Sequence, residues 1–146
     1  TRRAFKVVKT FDLGQTDGKE LPMIGPNELV RSIDGYPKLL QALQEVSPVP
    51  VSFELIDGGA KGYYNLENKS IVIQDGMSEV QTIKTLLHEM AHQKLHDKDT
   101  VPEAKDITRN GKEVEAESVA YVVCQHYGIN TSDYSFSYVA GWSEGK

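Results

Sequence analysis

The stretch TLLHEMAHQKLH, residues Thr85–His96, constrains this chain more than any other. Apolar residues at Val80, Ile83, Leu87, Met90, Ala91 and Leu95 recur at helical spacing. Ser78, with Gln81 three residues on, has the form of a capping box, so the spacing predicts a helix from Ser78 to about His96. Residues four apart share one helical face. His88 and His92 can therefore direct an imidazole nitrogen each at one ion about 2.0–2.1 Å away. Glu89 lies about 100° round the helix from His88, near such an ion without being forced to ligate it. The pattern H-E-x-x-H is thus a mechanism expressed as a spacing. Zinc lowers the pKa of its water to about 7, the neighbouring carboxylate takes the proton, and the metal polarises the scissile carbonyl. A surface helix that merely carries histidines is the bland alternative, and the apolar flanks argue against it.

A catalytic zinc site needs a third protein ligand and one open position. The downstream segment EVEAESVA offers Glu113, Glu115 and Glu117. Helical phase puts Glu113 on a stripe with Ala116, Glu117, Ala120 and Cys124, small residues that permit close approach to another helix. Glu113 is the favoured ligand, Glu117 an acceptor for a ligating histidine, and Glu115 the other choice for the third ligand. One zinc ion per chain is expected, although two histidines and a carboxylate also suit iron. His96 extends the i+4 series. A longer three-histidine pattern needs histidine at position 98, where Lys98 stands, so His96 reads as a structural residue near the helix C-terminus. Tyr63, Tyr138 and His126 are candidate donors to the oxyanion of a tetrahedral intermediate. Cys124 reads as a small buried apolar residue.

At 146 residues, with 39% apolar and 25% charged residues, the sequence suits one globular domain over residues 1–146. It carries one cysteine, which excludes an internal disulfide framework and suits a reducing, cytoplasmic compartment. No apolar run is long enough to span a membrane. The net charge of −5 argues against a general nucleic-acid surface, despite Arg2, Arg3, Lys6 and Lys9 near the start. Beginning at Thr1 and ending after AGWSEGK, the sequence reads as a domain excised from a longer protein.

Residues 4–13, AFKVVKTFDL, read as a first strand, with a polar turn-rich exit over 14–22. A helical pattern from Pro26, with Leu29, Ile33, Leu39, Leu40 and Leu43 apolar, is broken at Gly35 and Pro37. Val49–Ile56 is the second strand. A hairpin follows, with Tyr63 and Tyr64 on one arm, Ile71, Val72 and Ile73 on the other, and NLENKS between. Asp97–Lys112 reads as a long polar loop. A helix over residues 112–127 ends at Gly128. The tail is either a short helix after Ser132 or an aromatic-rich extended segment. The fold class is α+β.

The runs GYYNLENKSIVI, TLLHEMAHQKLH and EVEAESVAYVVC together resemble the ImmA/IrrE-type zinc metallopeptidases. Within them the chain is similar to the C-terminal peptidase domains of ArdC-like antirestriction proteins and LtrC-like proteins of conjugative elements. The resemblance implies a zincin-like fold, in which a small mixed or antiparallel sheet with an edge hairpin packs on the two metal-bearing helices. It implies His88, His92 and Glu113 as ligands and Glu89 as base. Related zincins often carry Asp or Asn where Glu117 stands. It also implies a protein or peptide substrate, bound by β-augmentation along Tyr64, Ile71, Val72 and Ile73. Single-stranded DNA would be bound only by a separate N-terminal domain. The expected activity is cleavage of a specific protein target. The alternative is a non-catalytic antirestriction or binding module whose metal site is structural.

Overall fold

The computed structural model describes residues 33–144, which fall into two compact units, residues 33–106 and residues 107–144. The expected strand over 4–13, its exit turn and the helical piece over 26–32 lie outside the described residues. The first unit runs α1 (Tyr36–Val46), β1 (Val51–Glu54), β2 (Gly62–Asn65), β3 (Ser70–Gln74) and α2 (Glu79–His96). The second holds α3 (Arg109–His126) and α4 (Ser132–Glu144). Helices and a small mixed sheet make this α+β. No described helix is long and apolar enough to cross a membrane.

The sheet order is β1-β3-β2, with β1 parallel and β2 antiparallel to β3. Asn65 shapes the hairpin turn, its Oδ1 accepting from the backbone N–H of Glu67 (2.9 Å) and Asn68 (3.2 Å). Because side chains alternate along a strand, Gly62 and Tyr64 share a face with their cross-strand partners Ile73 and Ile71. That face packs on α2. At Gly62 the approach is so close that an added Cβ would stand 2.9 Å from the Thr85 methyl and 3.0 Å from the Val72 carbonyl oxygen. Ile71, Ile73, Val80, Ile83 and Leu86 form the centre of this core.

The pairing corrects the expected edge strand. β3 is bonded on both sides, so Ile71, Val72 and Ile73 have no backbone edge to offer a substrate. Among the described residues, the outer edge of the hairpin belongs to β2, which carries Tyr64.

α2 begins as expected, with Ser78 Oγ accepting from Gln81 N at 3.2 Å. Glu79 accepts from Ile33 N at 2.8 Å, tying the start of α2 to the segment before α1. Val80 through Glu89 are buried on every side of the helix, a wider burial than an amphipathic stripe predicts. At the last turn Leu95 is 39% exposed instead of buried. The interior positions there go to His96 and Asp97.

Asp97 is 1% exposed and is satisfied from the hairpin. Tyr64 Oη donates to Oδ2 at 2.7 Å, and Lys69 Nζ reaches Oδ1 and Oδ2 at 3.1 and 3.0 Å. Lys69 also contacts Asp99 at 2.6 Å. These bonds hold the Asp97 carboxyl below its ordinary pKa, the Tyr64 hydroxyl contributing most. Burial, reinforced by Asp97, pushes the Tyr64 phenol up to about 12.

The segment predicted as a loop over 97–112 is more ordered than its composition suggests. Thr100 N and Val101 N donate to the Asp97 carbonyl, and Pro102–Asp106 form a 3-10 turn. α3 then starts at Arg109, capped by Thr108 Oγ1 accepting from Gly111 N at 3.0 Å. The Asn110-Gly111 pair is thus a first helical turn. A Cβ on Gly111 would lie 3.2 Å from the capping hydroxyl, so glycine there lets the cap close. The tail resolves as helix α4.

Asp97→Ala is expected to lower unfolding stability by about 1.5–3 kcal/mol, the cost of losing hydrogen bonds to a buried charged group. Because folding depresses this carboxyl's pKa, its contribution is complete above the unfolded value near 3.9 and is lost as pH falls through the lower folded value. Thermal melts from pH 6 downward should therefore show the wild type losing stability below about pH 4 more steeply than Asp97→Asn.

Candidate metal centre

One turn apart on α2, His88 and His92 bring their Nε2 atoms to 3.2 Å of one another. Their rings stand edge to face, with centroids 4.8 Å apart at 74°. Two nitrogens each about 2.0–2.1 Å from one tetrahedrally coordinated zinc would lie roughly 3.3 Å apart. The pair as folded fits that requirement. His88 is 5% exposed and His92 half-buried, so both nitrogens work in a medium that strengthens their attraction for a cation. Glu89 is buried beside them on the same helix. The far nitrogen of His92, Nδ1, lies 2.9 Å from Nδ1 of His96.

In the second unit α4 packs along α3 and supplies hydroxyls to its acids. Tyr138 Oη donates to Glu113 Oε1 at 2.8 Å. Burial and the adjacent Glu113 charge raise the Tyr138 phenol well above its ordinary pKa, so it remains a proton donor to that carboxylate. Ser135 Oγ donates to Glu117 Oε2 at 2.6 Å, and Thr131 Oγ1 is 3.0 Å from Ser135 Oγ. Glu117 is fully buried, as are Ala116, Ala120 and Cys124, the small-residue stripe read from the sequence. Glu115 is exposed. Within α4 Tyr134 stacks on Tyr138 (5.5 Å, 20°), and Arg109 of α3 lies over the Trp142 ring at 5.2 Å, which ties the C-terminal end of α4 to α3.

The oxyanion candidates fare differently. His126 is exposed at the end of α3, thirteen residues from Glu113 and so about 20 Å along the helix. Tyr63 is 40% exposed on the face of β2 away from α2. Tyr138 is committed to Glu113. The hydroxyls of Ser135, which reaches Glu117, and Thr131, which reaches Ser135, carry no signal of their own in the sequence. Residues 131, 135 and 138 share one helical face, but that signal appears only once the tail is known to be a helix.

The model of a family described as "Putative metallopeptidase family (DUF6782)" matches residues 20–121, a span that contains His88, Glu89, His92, Glu113 and Glu117. The chain is also similar to Uncharacterized protein pXO2-81 of Bacillus anthracis, with 30% identity over 92% of this chain and 25% of the relative. It thus spans about a quarter of the length of that curated relative. No solved structure matches. With most of its length matched, helix α2 and the acids of α3 included, the chain belongs to this metallopeptidase family.

Proposed function

We propose that the chain is a zinc-dependent endopeptidase domain in which His88, His92 and Glu113 ligate one ion and Glu89 is the general base. The observation that carries this reading is the 3.2 Å approach of two histidine Nε2 atoms beside a buried glutamate, in a chain of this family. When bound, zinc supplies a Lewis acid that polarises the scissile carbonyl and acidifies the attacking water. Glu89 takes the proton of that water and returns it to the departing amine. Tyr138 orients the Glu113 carboxylate through the hydrogen bond it donates to Oε1. Ser135 holds Glu117 ready as an acceptor for an imidazole N–H. A peptide substrate adds as a strand along β2, the hairpin's outer edge among the described residues.

The finer assignment follows the same motifs. The zincin-like arrangement, the ImmA/IrrE type and the ArdC-like and LtrC-like affinity are supported by the hairpin, the H-E-x-x-H helix and the Glu113–Glu117 helix taken together. On that reading the domain is cytoplasmic, serves a mobile element and cleaves a specific protein. Single-stranded DNA binding belongs to a separate N-terminal domain.

Glu89→Gln should retain one metal ion per chain and lower cleavage by about 10²–10⁴-fold, read by mass spectrometry of a peptide library. Full cleavage by this variant would show that another group is the base. A wild type that binds the ion but cuts nothing would favour the non-catalytic module. Glu113→Ala should abolish stoichiometric zinc in metal analysis, whereas Glu115→Ala, which alters an exposed acid, should keep it. Tyr138→Phe should weaken zinc binding by about 10–100-fold with the fold retained, the usual effect of removing a partner of a ligating side chain.

A further inference from the structure

We infer that His96 is a positioning residue for the metal centre, the hydrogen-bond acceptor that fixes the tautomer and ring orientation of His92. This rests on the reading of His92 as a ligand. His92 presents Nε2 toward His88 Nε2 at 3.2 Å and Nδ1 toward His96 Nδ1 at 2.9 Å. A neutral imidazole carries one N–H, and the nitrogen that binds a cation must be the one without it. With Nε2 as the ligating atom, the proton of His92 sits on Nδ1. His92 Nδ1–H is then the donor, and His96 Nδ1 must be the acceptor. That in turn places the proton of His96 on Nε2.

The geometry around His96 suits the role. Its ring is tilted 55° to that of His92 with centroids 5.1 Å apart, and it is buried at the last turn of α2. The next residue, Asp97, is pinned to the hairpin by Tyr64 and Lys69, so the backbone carrying His96 has little freedom. Helical spacing gives the chain of contacts its form: 88, 92 and 96 succeed one another on one face, the first two as ligands and the third as orienter. Ligating histidines commonly give their other N–H to a carboxylate or carbonyl. Here an imidazole nitrogen takes that place. Glu117 then need not be the partner of His92.

The test uses zinc-loaded wild type together with His96→Asn and His96→Leu. Asparagine places a carbonyl oxygen close to the position of the lost Nδ1, and leucine offers no acceptor. Zinc affinity, from competition with a chromophoric chelator, should fall about 10–100-fold in the leucine variant and return to within a few-fold of wild type in the asparagine variant. Melting of the metal-free proteins checks that both variants fold. Long-range ¹H–¹⁵N spectra of the wild-type histidine rings need no variant. They should show His92 protonated on Nδ1 and His96 protonated on Nε2. Unchanged affinity in His96→Leu, or His96 protonated on Nδ1, would overturn the inference while leaving the metal centre intact. Failure of the wild type to bind zinc would instead overturn the metal-centre reading, and this inference with it.

Discussion

The 3.2 Å approach of His88 Nε2 to His92 Nε2 is the constraint on which the rest of the site depends. Two imidazoles hold that separation only if one turn of helix is kept regular and their side chains are confined. α2 meets both demands because it is anchored at each end. At its start Ser78 caps the first turn and Glu79 binds the backbone before α1. At its end Asp97 ties the helix to the hairpin turn through Tyr64 and Lys69. In between, the missing side chain at Gly62 lets the sheet lie directly on Thr85, one turn before His88 and two before His92. The buried carboxylate of Asp97 thus serves the site without belonging to it.

The same physical device recurs in the second unit, with hydroxyls in place of a cap. Acids on a helix are held against mutual repulsion by donors aimed at single oxygens. Tyr138 does this for Glu113 and Ser135 for Glu117. A hydrogen bond donated to a carboxylate favours its charged form. Helix α4 thus supplies the hydroxyls that orient two acids of α3.

Helix α2 is legible in the sequence because its signal is local: four-residue spacing fixes the face, and Ser78 fixes the start. The hairpin is legible for the same reason, through the polar turn NLENKS between the arm with Tyr63 and Tyr64 and the arm with Ile71, Val72 and Ile73. The strand order is not. β1 pairs in parallel with β3, and nothing in either strand's own pattern states which side its partner takes. The segment over 97–112 reads as a loop because it is polar, yet its polar residues act as caps and buried acceptors, and Asn110 and Gly111 stand in the first turn of α3. His96 reads as an end-of-helix residue when the helix is taken alone. Its contact with His92 emerges only when both rings have rotamers.

The proposed centre is one ion held by nitrogen and oxygen donors from His88, His92 and Glu113. X-ray absorption at the zinc edge of the loaded protein tests it most directly. The account predicts a single shell of light donors at about 2.0–2.1 Å with the outer-shell scattering of two imidazoles. A sulfur shell near 2.3 Å, which only Cys124 and the three methionines could supply, would contradict it. So would a shell with no imidazole scattering.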